Sequence, residues 1–307
     1  MNIIEFSHVS KIYRKGFLAI KVPAVIDLSF SVRQGAITGF VGPNGAGKTT
    51  SLKMILGLAR PSGGSIRLSG GDPCDPRVRR DCAFLPEQPY FYQHLTVSES
   101  LAFAARLHGR AGSGLRADIE QTLDTVGLGG LGKRKIKELS KGMQQRLAMA
   151  QALLMHSSVL ILDEPMSGMD PPGRGLFRAV FLSLAARGTT IFFSTHILDD
   201  VESLCNDVVV LSKGRLDYQG SIDALLKKGF KGHDLVVPRL PDALKDGLRG
   251  MGCKVETARA EADRVFVPSG KDLAQCQRYL NGHGIFCESL TKRTTSLEDV
   301  LYKKQSG

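Results

Sequence analysis

The sequence has no long hydrophobic run and no recognisable secretion signal. No stretch approaches the roughly 18 consecutive apolar residues of a membrane-spanning helix, so we expect the chain not to cross a bilayer by itself. The opening MNIIEF lacks a basic segment followed by an apolar one, which predicts that there is no secretory signal peptide. The sequence also shows no internal repeat and no low-complexity segment.

The six cysteines do not follow any spacing that marks a metal site or a disulfide framework. None forms a CxxC pair, and no histidine stands at the spacing of a zinc finger. We therefore expect free thiols in a reducing cytoplasm. Three cysteines leave a metal or redox site as an alternative, although their spacing is irregular and His283 is the single histidine near them. These three are Cys253, Cys276 and Cys287.

Basic residues outnumber acidic ones, with 41 Lys and Arg against 30 Asp and Glu, which gives a formal net charge of +11. Such a surplus is typical of proteins that meet nucleic acid or an anionic membrane surface, but it also occurs without a specific partner. The length of 307 residues, at about 150 residues per domain, predicts two domains. Apolar residues make up 42% and charged residues 23%, which excludes a disordered or collagen-like chain.

The distribution of apolar residues predicts an α/β chain with a helical block in its middle. Residues 1–40 have the patterns of β-strands, and the apolar segment 36–41 predicts a buried strand. Residues 96–156 have few β-branched runs and many Leu, Ala and Arg residues, which predicts helices. Apolar strands return at 159–162 and 189–194, so the α/β alternation resumes after the helical block.

Beyond residue 229 the patterns weaken into a small α+β arrangement. Strand character is found at 235–237, 264–267 and 284–288, and helical character at 241–250 and 271–281. We therefore predict a first domain at residues 1–220, with a helical insertion at about residues 88–157, and a small accessory domain at residues 221–307.

Residues 42–49 read GPNGAGKT and fit the phosphate-loop pattern GxxxxGK[ST] between a predicted strand and a predicted helix. Glycines let successive backbone N–H groups turn toward one anion, and the N-terminus of the following helix adds positive potential. Lys48 would contact the β- and γ-phosphates of a nucleotide, and the Thr49 hydroxyl would hold Mg²⁺. We expect nucleotide contacts along the whole loop, from Gly42, Pro43, Asn44, Gly45, Ala46, Gly47, Lys48, Thr49 and Thr50.

Two carboxylates follow the apolar strand 159–162. In a parallel sheet the ends of such strands lie beside the phosphate loop, so Asp163 would hold the Mg²⁺ shell. Glu164 would orient the attacking water or take its proton. His196 follows the strand 189–194 and would reach the same sheet edge, although a lone histidine is as often structural.

The segment LSKGMQQRL, residues 139–147, is on its own a helix start capped by Ser140. The succession GPNGAGKTT, LSKGMQQRL, LILDEP, SGMD and STH resembles the ATP-binding subunit of an ABC transporter over about residues 2–220. The resemblance implies a P-loop NTPase fold, with a RecA-like parallel-sheet core, an antiparallel β subdomain and a helical insertion, followed by the small α+β domain. It also implies an active ATPase that uses ATP and Mg²⁺.

The resemblance further implies a head-to-tail homodimer. Ser140 and Gly142 would contact the γ-phosphate of the ATP that is held by the other subunit's phosphate loop. Asp170 would lie in the family's D-loop, and His196 would be its switch histidine. These roles are carried over from the family and not from the spacing of the residues.

Two further positions are assigned by the same resemblance. Tyr13 stands where the family has an aromatic ring against adenine, while a tyrosine at a strand end is in general more often a packing residue. Glu87 stands where the family usually has glutamine, and its carboxylate would serve as a Mg²⁺ ligand. Gln88 remains an alternative for that role.

The resemblance also indicates a partner and a location. A chain without a membrane span needs a separate membrane permease, and the motifs LPE, SKGM and the segment TSLEDVL at residues 295–301 resemble bacterial exporter ATPases. The chain would then sit peripherally at the cytoplasmic face of the inner membrane. The aromatic residues Tyr90, Phe91 and Tyr92 are candidates for the permease contact, with core packing as the alternative.

Two other functions stay open at this point. A soluble ABC ATPase that acts on nucleic acid or ribosomes would account for the net charge. However, such proteins carry two ATP units or a long coiled coil, and this sequence has neither, so we expect no nucleic-acid partner. An importer subunit is the second alternative. The segment LSKGMQQRL at residues 139–147, which resembles the family's signature sequence and is called the signature segment below, argues against it only weakly, as does the C-terminal segment at residues 295–301.

Overall fold

The computed structural model describes residues 1–16, 20–228, 230–259 and 261–294. The chain divides into two compact units, Met1–Ile222 and Asp223–Gly307. The exporter-like segment at residues 295–301 lies outside the described residues. Within the described ranges, no helix combines the length and the apolar character needed to cross a membrane.

The first unit alternates strands and helices around a helical block. Its elements are β1 (Asn2–Lys15), β2 (Ile20–Arg33), β3 (Ile37–Val41), α1 (Lys48–Ile55), β4 (Gly63–Leu68), β5 (Cys82–Leu85), α2 (Val97–Leu107), α3 (Leu115–Thr125), α4 (Lys141–Leu154), β6 (Val159–Asp163), α5 (Pro171–Ala186), β7 (Thr190–Thr195), α6 (Leu198–Leu204), β8 (Asp207–Ser212) and β9 (Arg215–Ser221).

The core of the first unit is a six-stranded sheet with the strand order β5–β6–β7–β3–β8–β9. The first five strands in this order are parallel, and β9 pairs antiparallel with β8. Every residue of β3, β6 and β7 is buried, as expected for parallel strands covered on both faces. Because these strands are parallel, the segments that follow them meet at one edge of the sheet.

A second, antiparallel sheet with the order β2–β1–β4 packs on this core. Aromatic side chains join the two layers. The rings of Phe6 and Phe30 stack at 4.3 Å between centroids, and Phe30 lies 5.9 Å from Phe192 of β7. This shared apolar core ties the strand that carries Tyr13 to the sheet that carries the phosphate loop.

Helices α2, α3 and α4 form the helical block, and side-chain caps fix where two of them begin. Thr96 and Glu99 form a reciprocal capping box at the start of α2. The Ser140 hydroxyl accepts a hydrogen bond from the backbone N–H of Met143 at 3.3 Å, which confirms the predicted cap of α4.

The second unit begins within α7 (Ile222–Lys228), and the elements after this helix have the order of a split βαβ fold. Its elements are β10 (Phe230–Pro238), α8 (Asp242–Gly250), β11 (Lys254–Arg259), β12 (Ala262–Pro268), α9 (Leu273–Gly282) and β13 (Ser289–Thr294). The strands form an antiparallel sheet with the order β11–β12–β10–β13.

The strand predicted at 284–288 is wrong, because the last strand begins only at Ser289. Ile285 and Cys287 instead pack against the apolar core of this unit from the connection that precedes β13. The strand β11 is not apparent from the sequence, since its segment KVETAR carries one large apolar residue among charged and polar ones. Strand pairing with β12, and not local hydrophobicity, forms it.

All six cysteines are free thiols. Two of them face each other in the core of the second unit, with 3.0 Å between the sulfur atoms of Cys253 and Cys276. Burial raises the pKa of the Cys253 thiol to about 12. The Cys253 thiol therefore stays protonated and weakly nucleophilic at neutral pH.

Candidate functional site

The phosphate loop lies between β3 and α1, at the edge where the parallel strands end. Two of its glycines accept no side chain. A Cβ atom on Gly42 would come 2.6 Å from the carbonyl oxygen of Leu211, and one on Gly47 would come 2.6 Å from that of Ala24. Gly47 also has a φ of 103°, which only glycine adopts readily. The loop is thus folded so that backbone N–H groups and the start of α1 face one site.

Lys48 is the first residue of α1, and its side chain is buried beneath the loop. Its ammonium group donates a hydrogen bond to the carbonyl oxygen of Gly42 at 2.6 Å. The same group lies 3.7 Å from a carboxylate oxygen of Glu164. A buried cation is therefore fixed at the centre of the site.

The two carboxylates end strand β6 and turn into the same site. Asp163 is the last residue of β6, and its carboxylate accepts a hydrogen bond from the Ser194 hydroxyl at 2.5 Å. Glu164 has a φ of 47°, and its second carboxylate oxygen lies 3.0 Å from Nδ1 of His196. Glu164 is thus held between Lys48 on one side and the half-exposed ring of His196 on the other.

These side chains line one cavity of about 540 Å³, which is within the usual range of small-molecule sites. Tyr13 of β1 also lines this cavity, and it pairs with Val22 of β2. Lys11 approaches the Tyr13 ring at 5.1 Å from its centroid. The predicted residues in the wall are Tyr13, Pro43, Asn44, Gly45, Ala46, Gly47, Lys48, Thr49, Thr50, Glu87, Asp163, Glu164 and His196.

Glu87 belongs to the wall of this cavity, whereas Gln88 does not. Gly42, the first residue of the loop, is not part of the cavity wall, but its carbonyl oxygen accepts the hydrogen bond from Lys48. The arrangement of a buried ammonium group, exposed backbone N–H groups and carboxylates can bind a polyphosphate together with a hard divalent cation.

Besides Gly42, three predicted site residues lie outside the cavity wall. Ser140 caps α4 and is exposed, and a Cβ atom on Gly142 would meet nothing within 4 Å. Asp170 caps α5 by accepting a hydrogen bond from the N–H of Gly173 at 3.2 Å. Within one copy of the chain, the phosphate loop and the signature segment therefore do not form a common site.

Sequence reasoning missed four residues of the cavity wall and one residue behind it. Val22, Pro23 and Ala24 of β2 and Ser167 line the cavity, and Ser194 binds both carboxylate residues from the neighbouring strand. The β2 residues reach the cavity because Val22 pairs with Tyr13, and this register is known only from the structure.

The aromatic segment of the helical block divides between surface and core. Tyr90 is 88% exposed and Tyr92 is 53% exposed, but Phe91 is only 5% exposed and packs in the interior. For Phe91 the structure therefore supports core packing, the alternative to a permease contact. Phe103 of α2 is 45% exposed and meets Tyr92 edge-on at 5.9 Å. We call Tyr90, Tyr92 and Phe103 the aromatic patch.

Comparisons with known proteins agree with this site. The sequence profile of the family described as ABC transporter matches residues 25–167. An uncharacterized ABC transporter ATP-binding protein of Nostoc sp. is 45% identical over 228 residues, which are 73% of this chain and 68% of that protein. The Nod factor export ATP-binding protein I of Paraburkholderia xenovorans is 39% identical over 269 residues, which are 86% of this chain and 84% of that protein.

A solved structure of the ATP-binding subunit of an ABC transporter is similar to this chain with a TM-score of 0.65 and 31% sequence identity. The match covers 74% of this chain and 92% of that structure, and it confirms the predicted P-loop NTPase fold. Sequence profile, relatives and fold thus agree with the phosphate loop and the paired carboxylates at one sheet edge. The chain belongs to the ABC transporter ATP-binding proteins and is an ATPase of that family.

Proposed function

We propose that the chain is the ATP-hydrolysing subunit of an export complex, and that it works as a head-to-tail homodimer beneath a separate membrane permease. The observation that carries the proposal is the position of Glu164 between Lys48 and His196 in the cavity wall. This position supports a role for the Glu164 carboxylate in hydrolysis, beside the place where the terminal phosphate of a bound nucleotide would lie.

ATP is bound through its phosphates and its base. Lys48 and the N–H groups of the phosphate loop neutralise the phosphate charge, and Gly47 allows the close approach. Tyr13 offers its ring to the adenine at the other end of the cavity. Nucleotide binding replaces the contact between Lys48 and Glu164 by one between Lys48 and phosphate oxygens.

Thr49, Asp163 and Glu87 would hold Mg²⁺, since all three line the cavity and present the hard oxygen ligands that this ion prefers. Across the described residues, no three His, Cys, Asp or Glu side chains converge closely enough to hold a metal ion. Magnesium would therefore depend on the nucleotide phosphates for the rest of its ligands. When bound, it neutralises the charge that builds up during phosphoryl transfer.

Glu164 orients the attacking water and accepts its proton, because it is the carboxylate beside Lys48 that is not committed to the metal. His196 holds the second oxygen of Glu164 through Nδ1 and turns its half-exposed ring toward the terminal phosphate. Hydrolysis thus needs the Glu164 carboxylate but ATP binding does not.

A second copy of the chain completes the site. Ser140 is exposed at the N-terminus of α4, which is 14 residues long and has no acidic residue in its first turn. Gly142 leaves open space above the backbone there. Such a helix start favours an anion, and the ATP of a second subunit is the anion that the family arrangement supplies. Asp170 would lie close to the same junction.

The aromatic patch supports the permease contact. Tyr90 and Tyr92 meet edge-on at 6.4 Å, and Phe103 continues the cluster on α2. Clustered exposed aromatic rings are typical of protein interfaces and are costly to leave in water. The chain would then be peripheral at the cytoplasmic face of the membrane. The proposed direction of transport rests on the 39% identical relative that is named as an export ATP-binding protein.

The central test is the substitution Glu164→Gln. It keeps the size of the side chain and removes the carboxylate, so we expect ATP binding within about two-fold of wild type and a loss of turnover of about 10²-fold or more. Stable dimers should accumulate with ATP and be seen by size-exclusion chromatography. Glu120→Gln in α3 is the matched control and should hydrolyse ATP normally. Turnover at the wild-type rate in Glu164→Gln would refute the proposed role.

The permease contact is tested separately with Tyr90→Asp and Tyr92→Asp. Both variants should lose co-purification with the membrane partner from detergent extract and keep ATP binding. Leu182→Asp is the control, because Leu182 is a similarly exposed apolar residue of α5 away from the patch. An intact complex in both aspartate variants, or a loss of ATP binding, would contradict the assignment of the patch.

A further inference from the structure

We propose that Ser194 and Gln145 are positioning residues that hold Glu164 in its working conformation from both sides. The inference rests on the role proposed for Glu164 and goes beyond it, since neither residue touches the cavity. It starts from the backbone of Glu164, whose φ of 47° lies in the left-handed region. Residues with a Cβ atom rarely adopt that region, and they keep it only where their surroundings enforce it.

Ser194 fixes the peptide on the N-terminal side of Glu164. It lies on β7 opposite Asp163 in the parallel register, and it is completely buried. Its hydroxyl accepts a hydrogen bond from the backbone N–H of Glu164 at 2.9 Å and donates one to the Asp163 carboxylate at 2.5 Å. A hydroxyl has one proton and free lone pairs, so a single group can make both bonds at once.

This double contact couples the two carboxylate residues. Because Ser194 binds the side chain of Asp163 and the main chain of Glu164, it sets the direction of both with respect to β7. Loss of the hydroxyl leaves a buried N–H group and a buried carboxylate oxygen without this partner, which favours a local rearrangement. Ser194 therefore influences both the metal ligand and the residue that handles the water.

Gln145 fixes the chain on the other side of Glu164. Its side-chain amide donates a hydrogen bond to the carbonyl oxygen of Pro165 at 3.1 Å, and the contact is buried. Pro165 has no N–H group, so its carbonyl oxygen is the backbone atom through which this residue can be held. Gln145 lies on α4, which begins at the signature segment, and it thus ties the helical block to Glu164.

The two residues make different predictions because they touch different groups. Replacing Ser194 affects both Asp163 and Glu164, whereas replacing Gln145 affects only the segment after Glu164. We expect Ser194→Ala to lower kcat about ten-fold or more with the KM for ATP unchanged within about two-fold, and to raise the Mg²⁺ concentration needed for half-maximal turnover. We expect Gln145→Met to lower kcat about ten-fold without changing the Mg²⁺ dependence.

The experiment uses the full-length chain and measures ATP turnover against ATP and Mg²⁺ concentration. Equilibrium binding of Mg²⁺ with ATP, followed by calorimetry, gives a readout that does not depend on turnover. Ser100→Ala in α2 is the matched control, because it removes a buried serine hydroxyl away from the acidic residues and should leave kcat unchanged. Thermal unfolding identifies any variant that does not fold, and in that case the remaining variant of the pair decides.

The outcomes separate this inference from the proposed function. Inactive Glu164→Gln together with wild-type kcat and wild-type Mg²⁺ dependence in Ser194→Ala and Gln145→Met would overturn the inference and leave the proposed function intact. Wild-type turnover in Glu164→Gln would overturn both. An equal loss of kcat in Ser100→Ala would show that the effect is not specific to the hydroxyl beside the acidic residues, and it would also overturn the inference.

Discussion

Asp200 is the most completely buried acid of the first unit, and the substitution Asp200→Asn tests what holds its helices together. It lies on α6 with no exposed surface, and each carboxylate oxygen accepts a hydrogen bond from one arginine of α5. Arg174 donates at 2.9 Å and Arg178 at 2.8 Å. These two bonds connect the helix that follows His196 with the helix that begins at Asp170.

The expected cost follows from the burial and from the two partners. Removing one partner of a buried ion pair typically costs 3–5 kcal/mol, roughly, because the remaining charge loses its compensation. Both arginines are partly exposed, so water can solvate them after the change, and we expect the lower end, about 3 kcal/mol. For a unit of this size that corresponds to about 6–12 °C in Tm.

The assay is thermal and urea unfolding of the full chain followed by circular dichroism, since the sequence has no tryptophan to report by fluorescence. Asp199→Asn is the matched control, because Asp199 is the exposed neighbour of Asp200 on the same helix. It should change stability by less than about 1 kcal/mol. If both substitutions lowered the free energy of unfolding by the same amount, the buried ion pairs of Asp200 could not be the source of the stability, and the reasoning would be refuted.

Three further predictions concern the second unit and the nucleotide site. Burial alone would raise the pKa of Asp263, but the hydrogen bond from the Leu240 N–H and the ion pair with Lys245 outweigh burial and lower that pKa. The ionised Asp263 therefore stabilises the folded state at neutral pH, and this stabilisation is lost as the pH falls below about 4. The stability difference between wild type and Asp263→Asn in urea unfolding should therefore shrink in acid, and a constant difference would contradict this. Tyr13→Ala should weaken ATP binding about ten-fold and Tyr13→Phe should not, as measured by equilibrium binding. Gly47→Ala should abolish ATP binding, because its Cβ atom would meet the carbonyl oxygen of Ala24 at 2.6 Å.

The phosphate loop is predictable from the sequence because its chemistry is local. Eight successive residues contain the glycines, the lysine and the threonine, and the flanking apolar strand fixes their context. The cap of α4 at Ser140 is local for the same reason, since the hydroxyl binds an N–H group three residues further on. In both cases the interacting groups lie within a few residues of each other, so the local pattern of residue types is enough to predict the structure.

The division of the aromatic segment shows where local patterns fail. Tyr90, Phe91 and Tyr92 look alike in sequence, yet Phe91 points into the core and its neighbours face solvent. Successive side chains in an extended segment alternate between two sides, but the sequence does not say which side is covered. That choice depends on the packing of the folded unit, and the same packing brings Phe103 of α2 to the exposed cluster from a distance in sequence.

Ser194 shows why the supporting part of the site could not be predicted. It stands in an apolar strand where a serine has no distinctive meaning, and its partner Asp163 lies 31 residues earlier. The contact exists because β6 and β7 are neighbours in parallel register, with Asp163 opposite Ser194. Strand order in a sheet depends on the packing of the whole unit and not on any local pattern. Carboxylates at a strand end can therefore be recognised from the sequence, whereas the hydroxyl that orients them is recognisable only after the sheet order is known.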